Sequence, residues 1–205
     1  MPSDILIFTI IILIFSIILH EIAHGYIAEM FGDPTARLAG RLTLNPVPHI
    51  DPFGSIILPA ILLWSGAGSV LGWAKPVPYN PYNLRHQKWG TVAVGLAGAL
   101  TNLFVAIVFG LIIRYSAELG IASDSFLQMV RFIVQINIVL AVFNMIPFPP
   151  LDGAKVLFAF LPYRFQYIHD YLEHNWLLFI VFVLFFAPDI IWPISGLLFY
   201  LITGA

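Results

Sequence analysis

His20, Glu21 and His24 fall in the pentapeptide HEIAH, at the end of an almost purely apolar run that begins at Ile5. On a helix, positions i and i+4 share one face about a turn apart, so both imidazoles can reach the same Zn²⁺. Glu21 then sits beside the metal, close enough to take a proton from water held there. In a soluble chain this pattern is only moderately specific. At membrane depth each ionisable group costs at least about 2.5 to 3.5 kcal/mol, and here three fall within five residues. Metal coordination is one arrangement that offsets such a cost. A helix end already at the water interface, or histidines hydrogen-bonded inside a bundle without metal, are the bland readings of the same residues.

A hydrolytic zinc site usually takes three protein ligands and keeps one position open for water. The chain has no cysteine, which excludes disulfides, iron–sulfur clusters and thiolate sites and leaves His, Asp and Glu as strong ligands. Candidates for the third ligand are His49, Asp51, Asp152, His169, Asp170, Glu173 and His174. The last four lie in the polar segment Pro162 to Asn175, which reads as a solvated loop. Asp152 differs, because it lies in NMIPFPPLDGAKVLFAF, where apolar stretches are interrupted by prolines and then an Asp-Gly pair. Irregular backbone at membrane depth is tolerated where it lines a cavity or is buried in protein. A carboxylate there needs a partner, and Zn²⁺ is a good one.

These residues need elements to position them. Of 205 residues, 60% are hydrophobic and 10% charged, and the mean hydropathy is +0.93, which points to a polytopic membrane protein. The net charge of −2 says nothing about partners, and no basic cluster with interleaved aromatics supports nucleic-acid binding. The expected fold is an all-α polytopic membrane protein, a single integral-membrane domain over residues 1–205. Four spans of sufficient length for about 30 Å of hydrocarbon run from Ile5 to Phe31, Trp89 to Tyr115, Phe126 to Ile146 and Trp176 to Ile202. Pro188, Asp189 and Pro193 make the last either one kinked helix or two short ones. The N-terminus lacks a positive region and a cleavage site, so it reads as a retained first span rather than a signal peptide.

Loop charge orients the spans. Arg37 and Arg41 follow the first span, and Lys75, Arg85 and Lys88 precede the second, so both segments are expected on the cytoplasmic side. The loop from Tyr115 to Ser125, with Glu118 and Asp124, belongs outside, as does the N-terminus. The stretch from Phe53 to Trp73, interrupted by Pro59, Gly66, Gly68 and Gly72, is then expected to be re-entrant, entering and leaving on one side. RLAGRLTLN, Arg37 to Asn45, alternates in the manner of a short membrane-associated β element that could receive an extended peptide by strand addition. An ordinary connecting loop is the other reading.

Taken together, His20-Glu21-Ile22-Ala23-His24 and the later run from Asn144 through Pro147 to Leu151-Asp152-Gly153 resemble the site-2 protease family of intramembrane zinc metalloproteases, peptidase family M50. The likeness takes in the first span, GLAGALTNL from Gly95 to Leu103, and the Asn144 to Gly153 segment. It implies one Zn²⁺ per chain held by His20, His24 and Asp152, with Glu21 as catalytic base and Asn144 steadying the substrate carbonyl and its oxyanion. It also implies a transmembrane protein as substrate, cleaved in the bilayer of a prokaryotic cell membrane. His20 lies about fifteen residues, roughly 22 Å, into the first helix, which puts the site nearer the cytoplasmic side. Asn102 matches the family pattern only in part, with Ala99 where relatives often carry proline, and reads as helix packing beside Gly95 and Gly98. His49 and Asp51 read either as groups near the site or as a turn. The short loop from Tyr115 to Ser125 and the end at Ala205 suggest the short prokaryotic type, without PDZ or CBS domain. The rival from another class is a metal-ion transporter or metal-sensing membrane protein using the same His/His/Asp site. A non-catalytic scaffold is the weaker rival. Oligomeric state is not legible in the sequence.

Overall fold

The computed structural model describes residues 3–57, 60–61, 64, 72–121 and 123–204, and its regular elements are helical. Helix α1 covers Ser3–Met30, and a single turn, α2, covers Thr35–Leu38. Two long helices follow, α3 over Gln87–Arg114 and α4 over Asp124–Asn144. The C-terminal part holds α5 (Asp152–Phe160), α6 (Gln166–His174), α7 (Trp176–Phe185) and α8 (Ala187–Thr203). Among the described residues, α1, α3 and α4 are each long and apolar enough to cross a membrane. In hydrocarbon every backbone N–H and C=O must be satisfied within its own segment, so isoleucine-rich runs that would be mediocre helices in water become helical.

Helix α3 is the hub, packing on α1, α4, α5 and α8. The usual soluble pattern is inverted. Ile7, Ile10, Phe104, Leu111, Leu197 and Leu201 face outward and exposed, while Ser16, Asn102, Asn137 and Ser195 are buried. Asn137 Nδ2 donates to Ser16 Oγ at 3.0 Å and so ties α4 to α1, the kind of interhelical bond that takes the place of a hydrophobic drive between helices in lipid. The largest apolar cluster joins Ala106 and Ile113 of α3 with Val130, Val134, Ile138 and Val142 of α4, and α8 covers it through Leu198 and Ile202.

The fourth expected span is divided. Helices α7 and α8, of 10 and 17 residues, meet at Phe186. Pro188 lies in the first turn of α8, where its missing N–H costs nothing. Helices α6 and α7 meet at 83°, and only if that bent pair is counted as one span does the number of crossings reach four.

Among the described residues there is no strand. The segment expected as a β element forms α2 and then turns over residues 39–45. A solitary strand has no ladder to satisfy its backbone. Arg41 instead sends Nη2 to the Lys75 carbonyl at 2.6 Å. Much of the stretch expected to be re-entrant lies outside the described residues, but its two ends meet. Pro52–Ile57 is a π-helical turn, Trp73 N donates to the Gly54 carbonyl at 3.2 Å, and Ser55 Oγ donates to the Trp73 carbonyl at 2.8 Å. The chain therefore leaves and returns at one place.

From there residues 72–80 run without regular structure, held by side chains on either side. Asp33 is the main anchor. Its carboxylate, fully buried, accepts from Thr35, from Asn80 N at 2.5 Å and from Asn83 Nδ2 at 2.8 Å. Gly32, at φ +105°, supplies the left-handed residue that ends α1, with Asp33 N returning to the Ala28 carbonyl at 2.9 Å.

Candidate metal centre

Helix α1 presents His20 and His24 one turn apart, and α5 begins with Asp152. Each of the three is about 5% exposed. His20 Nε2 and His24 Nε2 both lie 3.0 Å from Asp152 Oδ2. The two rings meet edge to face, with centroids 4.6 Å apart. The outer nitrogens of both rings also have partners. His24 Nδ1 is 2.6 Å from the Val94 carbonyl oxygen, which can only accept, so Nδ1 carries the proton and donates. His20 Nδ1 faces Asn102 Oδ1 at 3.3 Å in the same sense. Donation from Nδ1 leaves the Nε2 of a neutral imidazole with a lone pair, the form in which both rings could ligate a metal beside the Asp152 carboxylate. His20, His24 and Asp152 each offer one ligand atom, all within 4.8 Å of one another, and could hold a metal ion. Two imidazoles and a carboxylate are a donor set that suits Zn²⁺.

The surrounding backbone makes room for this set. A Cβ on Gly98 would stand 2.3 Å from His20 Cε1, so α3 must carry glycine where the ring lies against it. At Gly153 an added Cβ would meet the Met145 carbonyl oxygen at 2.3 Å, which is why Asp-Gly opens a helix packed so tightly under the end of α4. Glu21 Oε2 accepts from Val77 N at 2.7 Å, placing the extended segment 72–80 over the same turn of α1. Lys155 Nζ donates to Asp152 Oδ1 at 2.8 Å. A cleft of about 800 Å³ opens beside Lys155, lined among others by Tyr79, Lys88, Leu151, His169 and Glu173.

A candidate zinc metalloprotease of Bacillus subtilis (strain 168), YwhC, is 36% identical over 201 residues, covering 94% of this chain and 87% of that protein. The chain belongs to peptidase family M50. The profile of peptidase family M50 itself matches residues 116–188, which include Asn144 and Asp152. Rip2 of Mycolicibacterium smegmatis, also named as a candidate zinc metalloprotease, is 30% identical over 142 residues, or 69% of this chain and 52% of its own length. A zinc metalloprotease of Methanocaldococcus jannaschii is 26% identical over 158 residues, 77% of this chain and 35% of its own length. No solved structure matches. Family membership and the apolar helices make this an integral membrane protein.

In this M50 protein the other residues singled out by sequence have separate places. Asn144, at the end of α4, donates from Nδ2 to the Leu140 carbonyl at 2.9 Å, a bond that uses one of its two amide hydrogens. His49 is buried against the Thr43 carbonyl at 2.9 Å, and Asp51 Oδ1 accepts from Gly54 N at 2.6 Å. Both have turn-forming duties. His169, Asp170 and Glu173 form a second, more exposed group on α6. His174 Nδ1 bonds back to the Asp170 carbonyl at 2.6 Å. Asn102, read from sequence as helix packing, lies at the His20 ring. Sequence reasoning missed Lys155 and the Val94 carbonyl. The spacing Asp152 to Lys155, one turn of helix, was the available signal for the first, and a carbonyl offers none.

Proposed function

We propose that this chain is an intramembrane zinc metalloprotease that hydrolyses peptide bonds in or near transmembrane segments of other membrane proteins. The observation that carries the reading is the convergence of His20 Nε2 and His24 Nε2 of α1 with Asp152 Oδ2 of α5, three buried ligand atoms from two distant parts of the chain. These three atoms would hold one Zn²⁺. When bound, zinc supplies a Lewis acid at which water is more acidic and a carbonyl more electrophilic. Glu21 does the proton work. One of its oxygens is occupied by Val77 N–H, and the other would take the proton of the attacking water and return it to the leaving amine nitrogen. The water oxygen first joins the substrate carbonyl carbon, leaving negative charge on the carbonyl oxygen, and the C–N bond then breaks as the nitrogen receives its proton. Asn144 would turn its amide toward the oxyanion, which requires a rotation away from Leu140 or use of the second hydrogen.

The bilayer setting follows from the same residues. The site stands on α1 between exposed apolar side chains of the helix exterior. A substrate helix hides its carbonyls in internal hydrogen bonds, so it must unwind locally, and helix-breaking residues near the cut favour cleavage. Four spans with the bent pair counted as one, the N-terminus outside and the centre nearer the cytoplasm complete the proposed topology, with a re-entrant stretch between the paired ends at Gly54 and Trp73.

The test is a pair of variants. Glu21→Gln abolishes cleavage of a single-span substrate while one zinc per chain stays bound. Asp152→Ala loses both. A transporter with the same ligands would keep metal flux in Glu21→Gln, and that result overturns the protease reading.

A further inference from the structure

The two oxygens of Asp152 do different things. Oδ2 alone faces both imidazoles, at 3.0 Å from each. Oδ1 is held by Lys155 Nζ at 2.8 Å, three residues along α5. The ammonium is itself placed by the Tyr79 ring, 5.6 Å from its centroid, on the segment that also reaches Glu21. A carboxylate with both oxygens available can chelate an ion through two atoms, and chelation would take up coordination space that water or a substrate carbonyl needs. We propose that Lys155 is a positioning residue that keeps Asp152 a one-oxygen ligand and so preserves the open coordination position. This inference rests on the metal reading of the site.

An ordinary i,i+3 ion pair would stabilise the first turn of α5 and nothing more. The two roles separate in the full-length protein loaded with Co²⁺ in detergent, because cobalt's visible absorption weakens several-fold as its coordination number rises above four. Lys155→Met should still bind one Co²⁺ per chain, show that weakening, and lose about 10- to 100-fold in activity. Lys155→Arg, which restores a cation with N–H donors, should recover both the spectrum and most of the activity. A Lys155→Met spectrum identical to that of the unaltered protein overturns the proposal. So does failure of both Lys155→Met and Lys155→Gln to fold while Lys155→Arg folds, since Lys155 would then be a structural ion-pair partner. If the unaltered protein takes up no cobalt at all, the metal reading itself fails, which is a different outcome from an unchanged spectrum in the variant.

Discussion

His24 Nδ1 donates to the Val94 carbonyl, and that bond holds the ring with Nε2 aimed at Asp152. Asn102 faces the outer nitrogen of His20, so α3 orients both rings on α1. Such partners raise ligand basicity and fix ring orientation. Gly98 is the most exposed point of this arrangement to mutation. Gly98→Ala puts a methyl group 2.3 Å from the His20 ring, and the ring must turn away from its neighbours. Zinc affinity should fall about 10- to 100-fold, read by competition with a chromophoric chelator, while helix content stays unchanged. Asn144→Ala should leave zinc bound and lower kcat about 10²- to 10³-fold with little change in KM, if its amide faces the oxyanion. The HEIAH residues and Asp152 were legible in the sequence because their types are costly in lipid. Val94 was not, since every residue has a carbonyl and only helix docking decides which one meets a ring. Asn102 was read as helix packing, and it is buried where α3 meets α1, but its place beside His20 depends on the rotation of the one helix against the other.

At the scale of elements, the segment 72–80 matters most, because it is the non-helical backbone that reaches the base. Pro76 and Pro78 have no N–H, and Val77 between them gives its own to Glu21. Asp33 pins the far end. Burial pushes the Asp33 carboxyl up, but hydrogen bonds from Thr35, Asn80 and Asn83 outweigh it and hold the group below the usual carboxylate range. The sign follows from that direction. The stabilisation is fully present above the unfolded value, about 3.9, and is lost as pH falls through the lower folded value. Asp33→Asn should therefore cost about 2 kcal/mol near neutral pH, seen as a lower thermal unfolding temperature in detergent. The gap to the unaltered protein should narrow below about pH 4. The sequence signalled irregular backbone here through its prolines, but not that Asp33 would organise it. The expected strand after Arg37 failed because alternation alone supplies no neighbouring strand, and Arg41 had a carbonyl to hold instead.

For the whole molecule, apolar composition made a helical membrane protein legible at once, and α1, α3 and α4 stand close to the expected limits. The C-terminal part was harder. Pro188, Asp189 and Pro193 signalled a break but left one kinked helix or two short ones open, and the structure divides the stretch at Phe186, where Ala187 packs with Ile146 and Leu151. Topology is directly testable because the chain has no cysteine. Single cysteines at Tyr82 and Leu119, both exposed, should react with an impermeant maleimide from the cytoplasmic side and the outside respectively. Labelling of both from the same side would overturn the proposed orientation.

The central claim, one cation joining α1 to α5, is tested most directly by counting zinc in purified protein and in two variants. The account predicts one zinc per chain, lost in Asp152→Ala and retained in His169→Ala, which disrupts the second acidic and histidine group on α6. Zinc that survives in Asp152→Ala but disappears in His169→Ala would place the metal elsewhere and contradict it.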